Sequence, residues 1–177
     1  VEVASAVARA AMESGVATRP IEDFAAYRER LGEFVFRTGL LMRPVFERAR
    51  LEPKRLVYAE GEDRRVLRAV QAVVDEGLAR PILIGRPDVV NARIADLGLR
   101  IVPGDDFELV NPDDDPRYDA YWRCYHDLME RKGVSPDAAR TILRTNSTVI
   151  AAIVVRRGEA DAMLCGTFRQ YDWHLRH

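Results

Sequence analysis

Two cysteines and three histidines are the chain's soft nucleophiles and neutral-pH bases, and their spacing limits what they can do. Cys124 and Cys165 stand forty-one residues apart, without the paired spacing of a metal site, and both are read as reduced thiols. His126 follows Cys124 by two positions on a helical pattern, which sends the two side chains to different faces, so core packing is expected there rather than a Cys/His pair. His174 and His177 accompany Arg169, Asp172 and Arg176 just after a strand pattern and the small residues Gly166 and Thr167. Ligands of open α/β sheets collect beyond the carboxyl ends of strands, so the junction holding Cys165, Gly166, Thr167, Asp172 and Arg176 is the candidate ligand site. Gly166 lets a ligand approach the backbone, and the Arg176 guanidinium offers a charged donor fork to phosphate.

Other charged and aromatic groups have plainer readings. Glu60-Gly61-Glu62-Asp63 follows a strand pattern and opens a helix, where carboxylates favour the N-terminus, and a phosphate would have to approach three of them. Capping is expected. The acidic run Asp105, Asp106, Glu108, Asp113, Asp114 and Asp115 lacks calcium-loop spacing and reads as a solvated loop. Tyr118, Tyr121, Trp122 and Tyr125 recur at helical spacing in an acidic segment, which suits a core or an interface better than base stacking.

Stepping from strand to helix and back positions these groups. The first fifty residues carry helical patterns only: Val3 to Met12, a second around Phe24, Tyr27, Leu31, Phe34 and Val35, and a third from about Arg37 to Arg50. From Arg55 the pattern alternates. Strands are expected at Arg55–Ala59, Pro81–Gly85, Leu99–Val102, Phe107–Val110 and Ala162–Cys165. Helices are expected from Val66 to about Gly77, over Pro87–Leu97, from about Pro116 to Lys132, after Ser135-Pro136 and over Ser147–Arg157, with another opening near Gln170. This βαβα order predicts an α/β fold, a mostly parallel twisted sheet with helices on both faces, preceded by a helical arm. Because the last helix has only begun when the chain stops, a piece of a longer polypeptide is expected.

Composition excludes several classes. With 47% hydrophobic and 31% charged residues the chain is neither disordered, collagenous nor a coiled coil, and 27 Lys and Arg against 28 Asp and Glu give no general pull toward nucleic acid or anionic membrane. The longest apolar stretch, Val149 to Val155, is far short of the ~20 residues that cross a bilayer, and no secretory leader pattern opens the chain, so a cytoplasmic location is expected.

Ser14 to Ile21 (SGVATRPI), Lys54 to Val66 (KRLVYAEGEDRRV), Gly77 to Arg86 (GLARPILIGR), Asn111-Pro112 with Asp115 to Tyr118, and Gly158 to Gly166 (GEADAMLCG) together resemble the hybrid bacterial NADP-dependent malic enzymes, in which a malic enzyme domain is fused to a phosphate-acetyltransferase-like domain. The resemblance runs over nearly the whole chain in unbroken order. It implies that residues 1–50 end the malic enzyme domain and add a linker, and that residues 51–177 begin the acetyltransferase-like domain. It also implies that the dehydrogenase machinery, with NADP and a divalent metal (Mg or Mn), lies outside this chain, which itself holds no cofactor.

True phosphate acetyltransferases carry an arginine in a pattern like F-Y-E-L-R-x-x-K-G, and Tyr125 to Gly133 sets Met129 at that place. A thioether cannot give phosphate the paired charged hydrogen bonds of a guanidinium. A second arginine of those enzymes, in D-x-L-R-P, matches Arg176 after Asp172, although Gln170 and Tyr171 stand where small hydroxyl residues are usual. The resemblance therefore implies a regulatory module without catalytic residues of its own, one that senses acetyl-CoA and joins subunits into homo-oligomers, with neither nucleic acid nor membrane as partner. An active phosphate acetyltransferase and a purely structural dimerisation module are the alternatives.

Overall fold

The short run Lys54–Tyr58 alternates side chains between two sides and forms β1, with Val57 packed on one face and Tyr58 on the other. In this computed structural model, which describes residues 2–35 and 37–175, the chain divides into two compact units, Val1–Arg48 and Ala49–His177. All four strands lie in the second.

The first unit is helical: α1 Glu2–Glu13 and α2 Phe24–Val35, with α3 Arg37–Leu51 following. Gly15, at φ 74°, takes the left-handed turn that ends α1, and the Asp23 carboxylate caps α2 by accepting from the amides of Ala25 and Ala26 at 2.8 and 3.1 Å. The Arg9 guanidinium lies 5.3 Å from the centre of the Phe24 ring.

In the second unit β1 is followed by α4 Arg64–Asp75, β2 Ala79–Ile84, α5 Pro87–Leu97 and β3 Glu108–Val110. The chain then makes three helices, α6 Tyr118–Met129, α7 Pro136–Thr145 and α8 Ser147–Arg156, before β4 Ala162–Leu164 and the short α9 Tyr171–Leu175. The sheet is wholly parallel, in the order β3-β2-β1-β4, with Val57 opposite Ile82 and Met163. Strands buried on both faces need apolar side chains at every position, and Ile82, Leu83 and Ile84 supply them. Helices cover both faces. Val66, Leu67, Val70 and Val90 of α4 and α5 pack with Tyr58 and Leu83 on one side, and the aromatic helix α6 packs with α7, α8, Val57, Ile82 and Ile84 on the other. Tyr121, Trp122 and Tyr125 are core residues; Leu128 on the same helix is exposed.

Two expectations are corrected. Leu99–Val102 is not a strand: the Arg100 amide donates to the Gln71 side chain at 2.7 Å and the Val102 amide to Asp106 at 2.8 Å, so side chains satisfy a backbone that the ladder would otherwise have to pair. Ile101 is buried all the same. The helix expected from Pro116 starts at Tyr118, because Asp115 accepts from the Arg117 amide in a local turn, and it ends at Met129, with a 3-10 turn Glu130–Lys132 closed by Gly133 at φ 85°. Ser135 caps α7, accepting from the Ala138 amide at 3.2 Å. No helix among the described residues is long and apolar enough to cross a membrane; α7 and α8 pass the test only as a pair bent by 105°.

Candidate functional site

The strand order reverses between β1 and β4, since the connections from β1 to β2 and β3 step one way and the return through α6, α7 and α8 places β4 on the other side. A crevice outside the carboxyl ends of strands at such a reversal is where open α/β sheets hold ligands. Two cavities open there. One, of about 630 Å³, is lined by Glu60, Glu62, Arg86, Arg93, Arg144, Ser147 and Phe168 among others; the second, of about 440 Å³, is lined mainly by apolar groups around Thr148, Ala152, Met163, Cys165, Gly166 and His174.

The turn after β1 supplies the polar floor. Gly61 donates its amide to the Ile84 carbonyl at 3.0 Å, and a β-carbon on it would fall 2.7 Å from that oxygen, so only glycine lets the turn lie this close to β2. The turn carries Glu60 inward, 6% exposed, where its carboxylate accepts the Gly166 amide at 2.9 Å. Glu62 turns the other way and accepts three hydrogen bonds from Arg86, at 2.9–3.1 Å, while its carbonyl accepts from Arg93. Hydrogen bonding to Arg86 lowers the Glu62 carboxyl below its ordinary value. Asp63 caps α4, accepting from the Arg65 amide at 2.7 Å, and its hydrogen bond to the Arg65 side chain takes its pKa down to about 2. The capping expectation therefore holds for Asp63, but Glu60 and Glu62 hold the walls of the crevice.

Of the sequence-derived site residues, Cys165 and Gly166 line the apolar cavity at the end of β4. Burial, with the Glu60 charge adding to it, pushes the Cys165 thiol up, which keeps it protonated at neutral pH and a poor nucleophile. The Thr167 carbonyl accepts from Arg65 at 2.6 Å, and the Thr167 hydroxyl oxygen is buried without a partner. Asp172 is exposed in the first turn of α9. Arg176 and His177 lie outside the described residues. His174 bridges the Thr148 hydroxyl and the Phe168 carbonyl, both at 2.9 Å.

The sequence reading missed Glu60, Arg86, Arg93, Arg144 and Ser147 as lining residues; the signal available was their place, directly after β1 and β2, in the first turns of α5 and at the junction of α7 and α8. The acidic run is also not uniformly solvated. The Asp115 side chain is only 6% exposed and holds Arg117, which reaches Glu108 at 2.7 Å and Glu159 at 3.4 Å. Glu159 accepts the Tyr121 hydroxyl at 2.6 Å, and burial followed by that bond raises the tyrosine pKa. Met129 packs, partly buried, against the apolar cluster of α6, α7 and α8.

The family model described as phosphate acetyl/butaryl transferase matches residues 40–177, and the chain, with its parallel sheet and flanking helices, belongs to that family. Within it, the chain is 58% identical over 98% of its length to the NAD-dependent malic enzyme of Rhizobium meliloti (strain 1021), and 56% identical over 99% to the NADP-dependent malic enzyme of Escherichia coli (strain K12). It spans 23% of the length of each. A phosphotransacetylase structure from Streptococcus pyogenes superposes with a TM-score of 0.66 at 25% identity, over 76% of this chain and 41% of that one.

Proposed function

We propose that this chain is the regulatory portion of a malic enzyme, an acetyltransferase-like module that senses acetyl-CoA and joins subunits while being catalytically silent. The observation that carries the reading is Met129: a thioether packed into the α6 cluster at the place where, by the resemblance, true acetyltransferases carry an arginine that contacts phosphate or CoA, in a chain 58% identical to a malic enzyme. It also counts against the active acetyltransferase. The longer protein would oxidatively decarboxylate malate to pyruvate and CO₂ in the cytoplasm, with NADP, as in the name of the Escherichia coli relative, and a divalent metal. Among the described residues no three His, Cys, Asp or Glu side chains converge to hold that metal, so no step of the reaction is derived through this chain. Inhibition by acetyl-CoA requires that it bind one conformation better than another, since equal affinity shifts nothing.

The test is titration of the chain with acetyl-CoA by calorimetry and thermal melting, beside assays of malate-dependent NADP reduction and of acetyl-CoA formation from acetyl phosphate and CoA. Binding with neither activity is expected. Saturation at one hundred times Kd should raise stability by about 2.7 kcal/mol. Acetyl transfer above a protein-free control refutes the silent module, and an unmoved melting curve at millimolar acetyl-CoA leaves the structural dimerisation module as the correct reading.

A further inference from the structure

The two cavities at the sheet's carboxyl end are lined in part by the same two segments. Consecutive residues at the start of α8 face opposite ways, Ser147 into the larger polar cleft and Thr148 into the smaller apolar cavity. The segment after β4 does the same, with Phe168 in the cleft and Gly166 and Arg169 in the cavity. His174 ties one wall to the other: its Nδ1 meets the Thr148 hydroxyl and its Nε2 the Phe168 carbonyl, each at 2.9 Å. A carbonyl only accepts, so Nε2 carries a proton. The segment is further pinned by Glu60 on the Gly166 amide and by Arg65 on the Thr167 carbonyl.

The segment is also held under backbone strain. Arg169 is the one non-glycine with positive φ among the described residues, at 71°, a region that L side chains occupy at a free-energy cost. Its guanidinium stacks 4.0 Å from the Trp173 ring centre, and Trp173 packs edge-on against His174 at 5.1 Å.

We infer that His174 is a positioning residue that closes the passage between a polar head cleft and an apolar tail cavity, so that an extended ligand with a phosphorylated head and an acyl thioester tail must displace it to occupy both. The identity of that ligand rests on the proposed acetyl-CoA reading; the closure does not. A head-only ligand needs no displacement. Removing His174 therefore lowers the cost of binding the long ligand and leaves the short one alone.

Amide exchange of the ligand-free chain tests the closure. His174→Ala should speed exchange of the Gly166 and Trp173 amides roughly tenfold, as expected when a pair of hydrogen bonds is lost, with the β1 and β2 amides unchanged. Thr148→Val, which keeps the shape and removes only the α8 tie, should move the same amides by a smaller factor. Unchanged exchange at Gly166 and Trp173 in both variants overturns the closure. Acetyl-CoA and adenosine 3′,5′-bisphosphate are then titrated into parent and His174→Ala. Tighter acetyl-CoA binding with unchanged bisphosphate binding supports a ligand spanning both cavities, and equal change in both, or none, overturns it. If the parent binds neither probe the acetyl-CoA reading fails, and the exchange result still decides the closure.

Discussion

Gly61 sits where the turn after β1 rests on β2, and replacing it with alanine tests whether that approach sets the geometry of the crevice. The added β-carbon would meet the Ile84 carbonyl oxygen at 2.7 Å, the Leu83 β-carbon at 2.8 Å and the Ile84 amide nitrogen at 3.0 Å, all in an inner strand that cannot swing aside. Forcing extra volume into such packing costs about 1–3 kcal/mol. Moving the turn outward also stretches the hydrogen bond from the Gly61 amide to Ile84, worth about 1 kcal/mol. The unfolded chain returns about 0.4–1 kcal/mol by losing glycine's freedom. The net loss is roughly 1–3.5 kcal/mol, or about 3–17 °C in Tm for a unit of this size, read by calorimetry. Glu60 should leave Gly166 as the turn moves, so on the proposed reading acetyl-CoA affinity falls with stability. Gly77→Ala is the control: φ is 64° there but nothing lies within 4 Å, so only the backbone penalty of about 1 kcal/mol applies. If Gly61→Ala melts within about 2 °C of the parent, or above Gly77→Ala, the close approach is not what requires glycine.

Leu143→Ala removes a fully buried side chain between α6, α7 and α8 and should cost about 2–5 kcal/mol in urea unfolding; a loss under about 1 kcal/mol would mean that this cluster collapses around the gap. Asp63 and Asp161 are held at about 2 against an ordinary 3.8, chiefly by hydrogen bonds to Arg65 and Arg55, so the stability they contribute is complete above about pH 4 and is lost as pH falls toward 2. Arg55→Met should flatten that acid limb of a pH–melting curve, and an unchanged limb refutes the assignment. On the proposed acetyl-CoA reading, Arg176→Ala in the longer enzyme should weaken inhibition by roughly 1.5–3 kcal/mol if one charged hydrogen bond to the ligand is lost, with uninhibited malate turnover unchanged. Overlaid inhibition curves would place the effector elsewhere.

Local pattern determines much of the fold. The run Ile82-Leu83-Ile84, too apolar for a half-exposed strand, specifies burial on both faces, and Ser135-Pro136 and Gly133 mark where helices begin and end because capping and left-handed turns depend on a few neighbouring residues. The aromatic spacing of α6 fixed its buried face for the same reason. Sequence placed a candidate ligand site at the end of β4, since strand ends are legible. It could not say that Glu60, one hundred and six residues before Gly166, closes that end by hydrogen bond, nor that Thr148 and Phe168 meet through His174. The apolar Leu99–Val102 segment likewise looks like a strand until Gln71 and Asp106 are seen to take its amides. Periodicity reports which face of an element is buried, but strand order decides which distant side chains share a crevice, and only the folded sheet brings the ends of β1 and β4 together.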